Sequence, residues 1–560
     1  MYIQCSTVKR KGKTSRNRKL VESYRDPKTK QPRVRTVQRI ETLPIPERAK
    51  LIYKFGGKKH LTPEEWSVLN DLGLLTTQQV SYEVGDVYRG AGAAVAFGHM
   101  KESGMFKVLD KHLSRNGADV LKELVIQQLL NPKSKVQFTR YRQSTLLYLL
   151  GGKRQYKEDT VYMAMDELAS NIEGIKKDLT RQLDEETRSL LLYDLSNSYF
   201  TGTNAELGGR GESKEKRHDR YIVTYGLVMN GHNMPLDIRI WKGGTADAKT
   251  VIDTFSEWKR TYRAKRAIWI ADRSMSGEVN VEDIKRLGLN YITGLPGNTQ
   301  QAMLLLKQEQ QPGLFDLADI TSFVHEGKRY VLCRHESKGY RNEYQCARRR
   351  RKVYGELKKI QRSPQNKDNK KLYHRAMRAL EKYGQTAFWN IQVNRLPGKG
   401  KQECYRLNFH LDRRVVIAHN RIGHYYLLQT DLNAKQITDD LVVKNYKSLM
   451  KIEKSFRDIK SQIKIRPIRH WKERRIKAHI YLCYLSLWLS KYIENKWKER
   501  NISTEVGPML EEWDANYVMC EKVDPHGNMV EVTWNKGVNA ITTMQQIDAY
   551  GETRAIKTYT

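Results

Sequence analysis

Two hydrophobic periods divide the chain. From about residue 62 to 175 apolar positions recur at helical spacing. Thr62-Pro63-Glu64-Glu65 reads as a helix start with proline at the first helical position, and residues 118–130 form an amphipathic run that stops at Asn131-Pro132. From 187 the pattern becomes that of buried strands. Ser189-Leu190-Leu191-Leu192-Tyr193-Asp194 is a continuous apolar run closed by a carboxylate. Residues 221–228 and 234–241 predict two strands joined by the turn Asn230-Gly231-His232-Asn233. Asp247 opens a helix through Val251, Ile252, Phe255 and Trp258. Residues 267–272 are a second apolar run ending in a carboxylate, followed by a helix-like 281–287 and a strand-like 289–293. The order strand, hairpin, helix, strand, helix, strand predicts an α/β core with mixed strands.

Residues 296–430 interrupt this core. Residues 336–380 carry 15 Lys/Arg against 4 Asp/Glu around Arg348-Arg349-Arg350-Arg351-Lys352, a density that favours phosphate contact over a merely solvated helix face. Two helices broken at Ser363-Pro364-Gln365-Asn366 read as a hairpin, and strands follow near 389–393, 405–411 and 425–428. Helical spacing returns over 438–500, starting at Thr438-Asp439-Asp440. The first 60 residues read as short strands between basic turns. The expected organisation is therefore a basic strand and hairpin arm (1–60), a helical DNA-binding domain (61–175), a first part of the core (187–295), an inserted subdomain of basic helical hairpin plus strands (296–430), a helical part of the core (431–500) and a C-terminal extension (501–560).

Charge narrows the function. The 560 residues hold 100 Lys/Arg and 63 Asp/Glu, a net +37, and a folded protein with that excess repels itself unless a polyanion neutralises it. Nucleic acid is the first candidate partner, since phosphate neutralisation releases counterions. A membrane surface is the second, but no lipidation motif supports it, no run of about 18 apolar residues is present to span a bilayer, and the N-terminus lacks an apolar signal segment. Six scattered cysteines without a C-x-x-C pair argue against a disulfide scaffold or a zinc knuckle and suit a reduced, cytoplasmic protein.

The candidate chemistry is acidic. Asp194 and Asp272 each end an apolar strand of one inferred sheet, where open α/β sheets gather functional groups. Paired carboxylates repel, and a divalent oxygen-seeking cation resolves that cost. The bland alternative is that each caps a turn. Glu453 is a third candidate: Tyr446, Leu449, Glu453, Arg457 and Lys460 share one helical face, an arrangement suited to metal plus phosphate, against the simpler reading of an i,i+4 Glu–Arg ion pair.

Together these residues resemble the DDE transposases of bacterial and archaeal insertion sequences, in the group whose signature is Y-x2-R-x3-E-x6-K. The resemblance rests on Tyr193-Asp194-Leu-Ser-Asn-Ser-Tyr-Phe, on Ile270-Ala271-Asp272-Arg273, and on Tyr446, Glu453 and Lys460 at the signature spacing, with loop similarity at 211–219 and 244–247. It implies an RNase H-like fold with an insertion before the Glu453 helix. It also implies a catalytic, metal-binding triad of Asp194, Asp272 and Glu453, holding two Mg²⁺ per site for which Mn²⁺ would substitute. Cleavage at the terminal inverted repeats and transfer of the freed 3′-OH into target DNA would follow, carried out by a homodimer on double-stranded DNA in a prokaryotic cytoplasm. Tyr446, Arg457 and Lys460 would contact DNA, with Arg273 and His218 as further contacts. Trp389, in the insertion, reads first as a core tryptophan, with stacking on an extruded base as the alternative. The signature arginine is Leu449 here, which removes one expected DNA contact; Lys447 or Lys451 could supply charge from another angle. The competing readings are a non-catalytic DNA-binding protein derived from a transposase and an RNase H-like nuclease.

Overall fold

The computed structural model describes residues 1–534 except 11–12, 57–59, 73, 75–82, 184–188, 215, 263–266, 312, 314–318, 364–367, 397–403, 517 and 524–528. The expected helix break at Ser363-Pro364-Gln365-Asn366 therefore lies mostly outside the described residues, as does the last part of the 501–560 extension. The chain forms two compact units, Met1–Gly85 with Glu521–Val532, and a larger one that contains Asp86–Cys520.

In the smaller unit, β1 (Tyr2–Arg10), β2 (Lys13–Arg25) and β3 (Pro32–Arg39) form an antiparallel sheet with β2 central. Helices α1 (Ile45–Gly56) and α2 (Pro63–Asp71) follow. Ile3, Leu20, Ile40 and Ile52 make a small core. Beside it, buried Arg18 pairs with Glu41 at 2.6 Å and Glu65 at 2.7 Å, and Arg48 reaches Glu65 at 2.5 Å. Thr62 and Glu65 close a capping box: the Glu65 N–H donates to Thr62 Oγ1 at 3.3 Å and the Thr62 N–H to Glu65 Oε2 at 2.9 Å. The expected boundary at residue 60 is thus too early. Glu65 ties α2 to the basic sheet, so the arm is a folded unit that includes the first helix assigned to the next domain.

After β4 (Glu83–Arg89) the larger unit holds six helices: α3 (Ala91–Glu102), α4 (Met105–His112), α5 (Arg115–Leu130), α6 (Lys135–Tyr141), α7 (Leu146–Leu150) and α8 (Glu158–Arg181). Side-chain caps set two of the starts. Ser114 Oγ accepts from the Gly117 N–H at 3.1 Å, and Ser134 and Gln137 form a capping box. The large sheet then runs through β5 (Leu190–Tyr199), β6 (Ile222–Met229), β7 (Pro235–Lys242), α9 (Asp247–Tyr262), β8 (Ile268–Ala271), α10 (Glu278–Arg286) and β9 (Asn290–Gly294). After α11 (Gly297–Gln310) come β10 (Ile320–His325) and β11 (Lys328–Arg334). The insertion holds α12 (Glu336–Gln361), α13 (Asn369–Lys382), β12 (Trp389–Leu396), β13 (Cys404–Leu411) and α14 (Arg413–Gly423). β14 (Tyr425–Thr430) returns to the sheet, and α15 (Asp439–Lys447), α16 (Leu449–Ser461) and α17 (Glu473–Glu499) follow.

Spatial order in the eight-stranded sheet is β10-β11-β14-β9-β8-β5-β6-β7. β5 is parallel to β8 and β8 to β9, and every other neighbour pair is antiparallel. All eight residues of β6 are buried because both faces of the sheet are covered. One cover is α9 and α10, which pack Val251, Phe255, Trp258, Val281 and Ile284 against Leu191, Tyr193, Leu195 and Trp269.

Two expectations about domains change here. The expected insertion spans 296–430, but β10, β11 and β14 extend the main sheet, so the inserted part narrows to the stretch from α12 to α14. The helical region also does not stand apart. α17 is apolar on every side, with Ile476, Leu482, Leu485, Trp488 and Ile493 all buried, so it needs neighbours all round. α5 and α8 supply one side and β7 another. A polar seam reinforces the join: Lys176 of α8 meets Asp237 of β7 at 2.5 Å, both 2 % exposed, and Thr180 Oγ1 donates to the Leu236 carbonyl at 3.0 Å.

Candidate active site

Alternation along β5 decides which residues face chemistry. Leu191, Tyr193 and Leu195 point into the core beneath α9; Asp194, one residue out of phase, points to the opposite face, where α16 packs. The same parity separates Trp269 and Ala271 from Asp272. Asp194 does not end its strand, as the apolar run suggested: β5 continues to Tyr199. Its neighbour β8 does stop, at Ala271. The parallel register Leu190↔Ile268, Leu191↔Trp269, Leu192↔Ile270, carried two residues on, sets Asp194 level with Asp272. The site is the point where a long strand outruns a short one.

Local hydrogen bonds fix both groups. Asp194 Oδ1 accepts from the Leu195 N–H at 2.7 Å. Asp272 Oδ1 accepts from the Ser274 N–H at 2.8 Å and from Ser274 Oγ at 2.6 Å. Lys214 Nζ lies 3.8 Å from Asp194 Oδ1 and also donates to the Leu195 carbonyl. The loop carrying Lys214 is anchored by β5 itself, since Asn197 Nδ2 donates to the Glu212 carbonyl at 3.0 Å and Asn197 Oδ1 accepts from the Lys214 N–H at 3.3 Å. Lys214 is not among the expected site residues, although it lies in the basic 211–219 loop that carries part of the resemblance, 20 residues downstream of Asp194.

Burial pushes the Asp194 carboxyl up to about 6. Lys214 and the Leu195 N–H oppose the rise, and the charges of Asp272 and Glu453 add to it. The three candidate acids thus share one electrostatic neighbourhood. Glu453 stands exposed on α16, whose Ile452, Ser455, Phe456 and Ile459 are buried, with the Phe456 and Tyr225 rings 5.9 Å apart. Among the described residues no group of three or more His, Cys, Asp or Glu side chains is gathered tightly enough to hold a metal ion as it stands. The donor chemistry nevertheless fits a hard divalent cation: three carboxylates, one of them raised by burial and by the other two, with no thiol or imidazole among them.

The expected single helical face is not continuous. Residue Ser448 separates α15 from α16, so Tyr446 and Glu453 sit on different helices. Tyr446 still lies against the end of β9, next to Arg273. A Cβ added at Gly294, the last residue of β9, would lie 2.6 Å from its hydroxyl and 3.6 Å from Arg273 Cβ, so the glycine makes the room. Burial raises the Tyr446 pKa, Asp272 adds to it, Arg273 opposes, and Glu453 adds further. Arg273 is exposed beside Asp272, and its charge also lowers the pKa of Lys338, after burial, at the start of α12. Leu449 is buried at the start of α16, and Lys451 Nζ donates to the Gly231 carbonyl at 2.6 Å. Arg457 is exposed and lines a cavity with Met450, Lys451, Lys454, Glu494 and Lys498. Lys460 lies seven residues beyond Glu453 on the same helix. His218 is exposed in the loop after Lys214. Trp389 is 9 % exposed, in the insertion core with Val353, Leu357 and Leu407, and its ring lies 5.9 Å from Phe409. Its indole is covered, so it is not available to stack on an extruded base in this structure.

A mixed α/β sheet holds Asp194 and Asp272 level at the point where β5 outruns β8. The chain belongs to the transposase DDE domain family, whose model matches residues 188–489, a span that contains Asp194, Asp272 and Glu453. Among solved structures it is similar to a piggyBac transposase in a synaptic complex with hairpin DNA, with a TM-score of 0.34 and 7% identity over 72% of this chain and 70% of that one. No curated protein matches it. Among the described residues no helix is long and apolar enough to cross a membrane.

Proposed function

We propose that this chain is a cut-and-paste DNA transposase that binds the terminal inverted repeats of its own element, cleaves at the ends and transfers the freed strand into target DNA. The strand order β7-β6-β5-β8-β9, with only the last two steps parallel, supports an RNase H-like core. The observation that carries the reading is the register that sets Asp194 of β5 level with Asp272 just past the end of β8, and the charges of Asp272 and Glu453 add to the rise that burial gives the Asp194 carboxyl. Such a cluster is electrostatically costly without a counter-charge.

Asp194, Asp272 and Glu453 would hold divalent metal, Mg²⁺ with Mn²⁺ as substitute. When bound, two such ions supply Lewis-acid stabilisation of the attacking and leaving oxygens. The chain's own residues do the rest. Lys214 keeps Asp194 partly neutralised until metal arrives. Ser274 holds Asp272 in one orientation. Tyr446 and Arg273 flank Asp272 and would position the scissile strand. Arg457 and Lys460 extend the basic surface of α16 along the DNA backbone, and His218 would be a peripheral contact. Hydrolysis frees a 3′-OH, which then attacks a target phosphodiester, so bonds broken and formed balance without a covalent protein–DNA link. Two ends require two active sites, hence a homodimer on DNA.

The test uses the full chain with duplexes that carry the element's ends, with Mg²⁺ or Mn²⁺. Metal-dependent strand cleavage is expected, lost in Asp194→Asn, Asp272→Asn and Glu453→Gln while DNA binding stays within about twofold. Cleavage that persists in these variants would remove the assignment. A parent that binds ends but never cuts them would make the chain a non-catalytic derivative, and preference for RNA–DNA hybrid would make it a nuclease.

A further inference from the structure

The insertion carries a two-stranded ribbon whose solvent face has an unusual composition. β12 and β13 pair antiparallel, with Asn390 opposite His410, Gln392 opposite Asn408 and Asn394 opposite Arg406. Alternation turns these six outward, and all are exposed. The opposite face, with Trp389, Ile391, Val393, Leu407, Phe409 and Leu411, packs on the helices of the insertion. An outward ribbon face needs only to be polar, and Thr, Lys or Glu would serve. Asn is depleted in strands, so three of them on one face cost strand propensity without improving the packing behind. The face carries no carboxylate. It holds amides, a guanidinium and an imidazole, the groups that recognise base edges: Asn and Gln pair with adenine, Arg with guanine.

We propose that the outward face of the β12–β13 ribbon enters the major groove of the duplex being cut and reads its sequence. This rests on the transposase reading above. A two-stranded ribbon fits a groove about 12 Å wide. Outward residues on one strand recur every ~6.6 Å, close to two base-pair steps of ~3.4 Å each, so three facing pairs cover roughly five base pairs. Charge agrees, since the sequence of residues 336–380 holds 15 Lys/Arg and 4 Asp/Glu for the flanking phosphates. Asn390 Nδ2 and His410 Nε2 are already bonded at 3.1 Å, which fixes both side chains before DNA arrives.

The geometry also places the sequence that is read. α12 starts on the side of the sheet that carries this site: Lys338 Nζ lies 6.0 Å from the ring of Tyr426 on β14, two residues from Leu428, which pairs with Gly294 at the end of β9. The ribbon packs on the far half of that helix, at Val353, Leu357 and Ile360. At 1.5 Å per residue this is roughly 22–33 Å from Lys338, or about 7–10 base pairs at ~3.4 Å each. The ribbon therefore reads the duplex that carries the scissile phosphate rather than remote DNA.

The probe is a pool of 40-base-pair duplexes randomised over the central 16, selected by binding to the full chain. The parent is expected to enrich a core of about five base pairs. The double variants Gln392→Ala/Asn408→Ala and Asn394→Ala/Arg406→Ala are expected to lose at least roughly tenfold in preference for that core, with unchanged binding to random duplex. Arg351→Ala/Lys352→Ala should instead weaken all duplexes alike. Thermal melting checks that each variant keeps the parent's fold, as solvent-facing changes should. Identical enrichment by parent and ribbon variants overturns the inference and leaves the transposase reading standing. So does binding without any enrichment. An enriched core that, built into a longer duplex, is cut in Mn²⁺ roughly 7–10 base pairs away supports it; a core never cut nearby overturns the link to the scissile duplex. Failure to bind any duplex overturns the transposase reading and this inference with it.

Discussion

Asp237→Asn should destabilise the larger unit by an amount that can be worked out in advance. Asp237 and Lys176 are each 2 % exposed and 2.5 Å apart, and Asp237 also takes Arg239 Nε at 2.8 Å. Burial alone would push the Asp237 carboxyl up; Lys176 and Arg239 overcome this and hold it below the ordinary carboxylate range. Neutralising Asp237 leaves the Lys176 ammonium buried with the Ile238 carbonyl and Glu173, the latter 56 % exposed and so a weaker partner. Breaking a buried pair from one side costs about 3–5 kcal/mol, and the surviving Glu173 contact points to the lower end. For a unit of roughly 430 residues the unfolding entropy is near 0.9 kcal/mol per kelvin, so Tm should drop by about 3–5 °C. The double variant Lys176→Met/Asp237→Leu removes both charges and should recover at least half of the loss. Thermal melts followed by far-ultraviolet circular dichroism at neutral pH measure this. A single variant within 1 °C of the parent, or a double variant as unstable as the single, would refute the argument that this pair clamps α8 to the sheet edge.

Further expectations follow from the site and the core. Mn²⁺ at 100 times its Kd should stabilise the parent by about 2.7 kcal/mol, or roughly 3 °C for a unit of this size, and Asp194→Asn should abolish that gain; equal shifts in both would place the metal elsewhere. His470 and His479 are held neutral, chiefly by burial and then by the charge of Lys135, at about 4 and about 3. The unfolded chain binds those protons near 6.5, so their contribution is complete above that pH and is lost as pH falls from 6.5 towards 3. The slope reaches about 2.7 kcal/mol per pH unit for the two, and a melting temperature flat from pH 7 to 5 would contradict it. Glu494 has a folded pKa of about 2, because Lys491 and Lys498 outweigh the opposing effect of its burial. Its stabilisation is present above about 4.5 and fades as pH falls towards 2, and Glu494→Gln should remove that part of the acid transition. Trp389→Ala should cost about 3–5 kcal/mol within the insertion, read as local proteolytic opening of α12 to α14; an unchanged digestion pattern would argue that the indole is not a core residue.

The hydrophobic pattern by itself determined much of this molecule. Apolar runs at β5 and β8, the hairpin between β6 and β7 and the helix opened by Asp247 were all legible, because buried strands and amphipathic helices impose short-range periods on the chain. Asp194 and Asp272 could be read as candidates because a carboxylate closing an apolar run is a local feature, and Glu453 because residues at helical spacing share a face. The inward and outward faces of the ribbon were equally local, being a matter of alternation. Tertiary structure alone decided what pairs with what. Nothing near Asp194 in sequence says that β8 stops short of β5, yet the pairing of the two strands sets Asp194 level with Asp272, just past the end of β8. Strands β10, β11 and β14 look like parts of an insertion until their hydrogen bonds join the main sheet. The helices of residues 91–181 look like a separate domain until α17, apolar all round, requires cover on every side. Lys214 and Trp389 complete the contrast, the first brought to Asp194 by a loop that Asn197 anchors, the second taken into a core by α12 and α13. Periodicity is a property of neighbours along the chain. Register, burial of a single side chain and the meeting of distant charges are set by the sum of long-range contacts, which no local window contains.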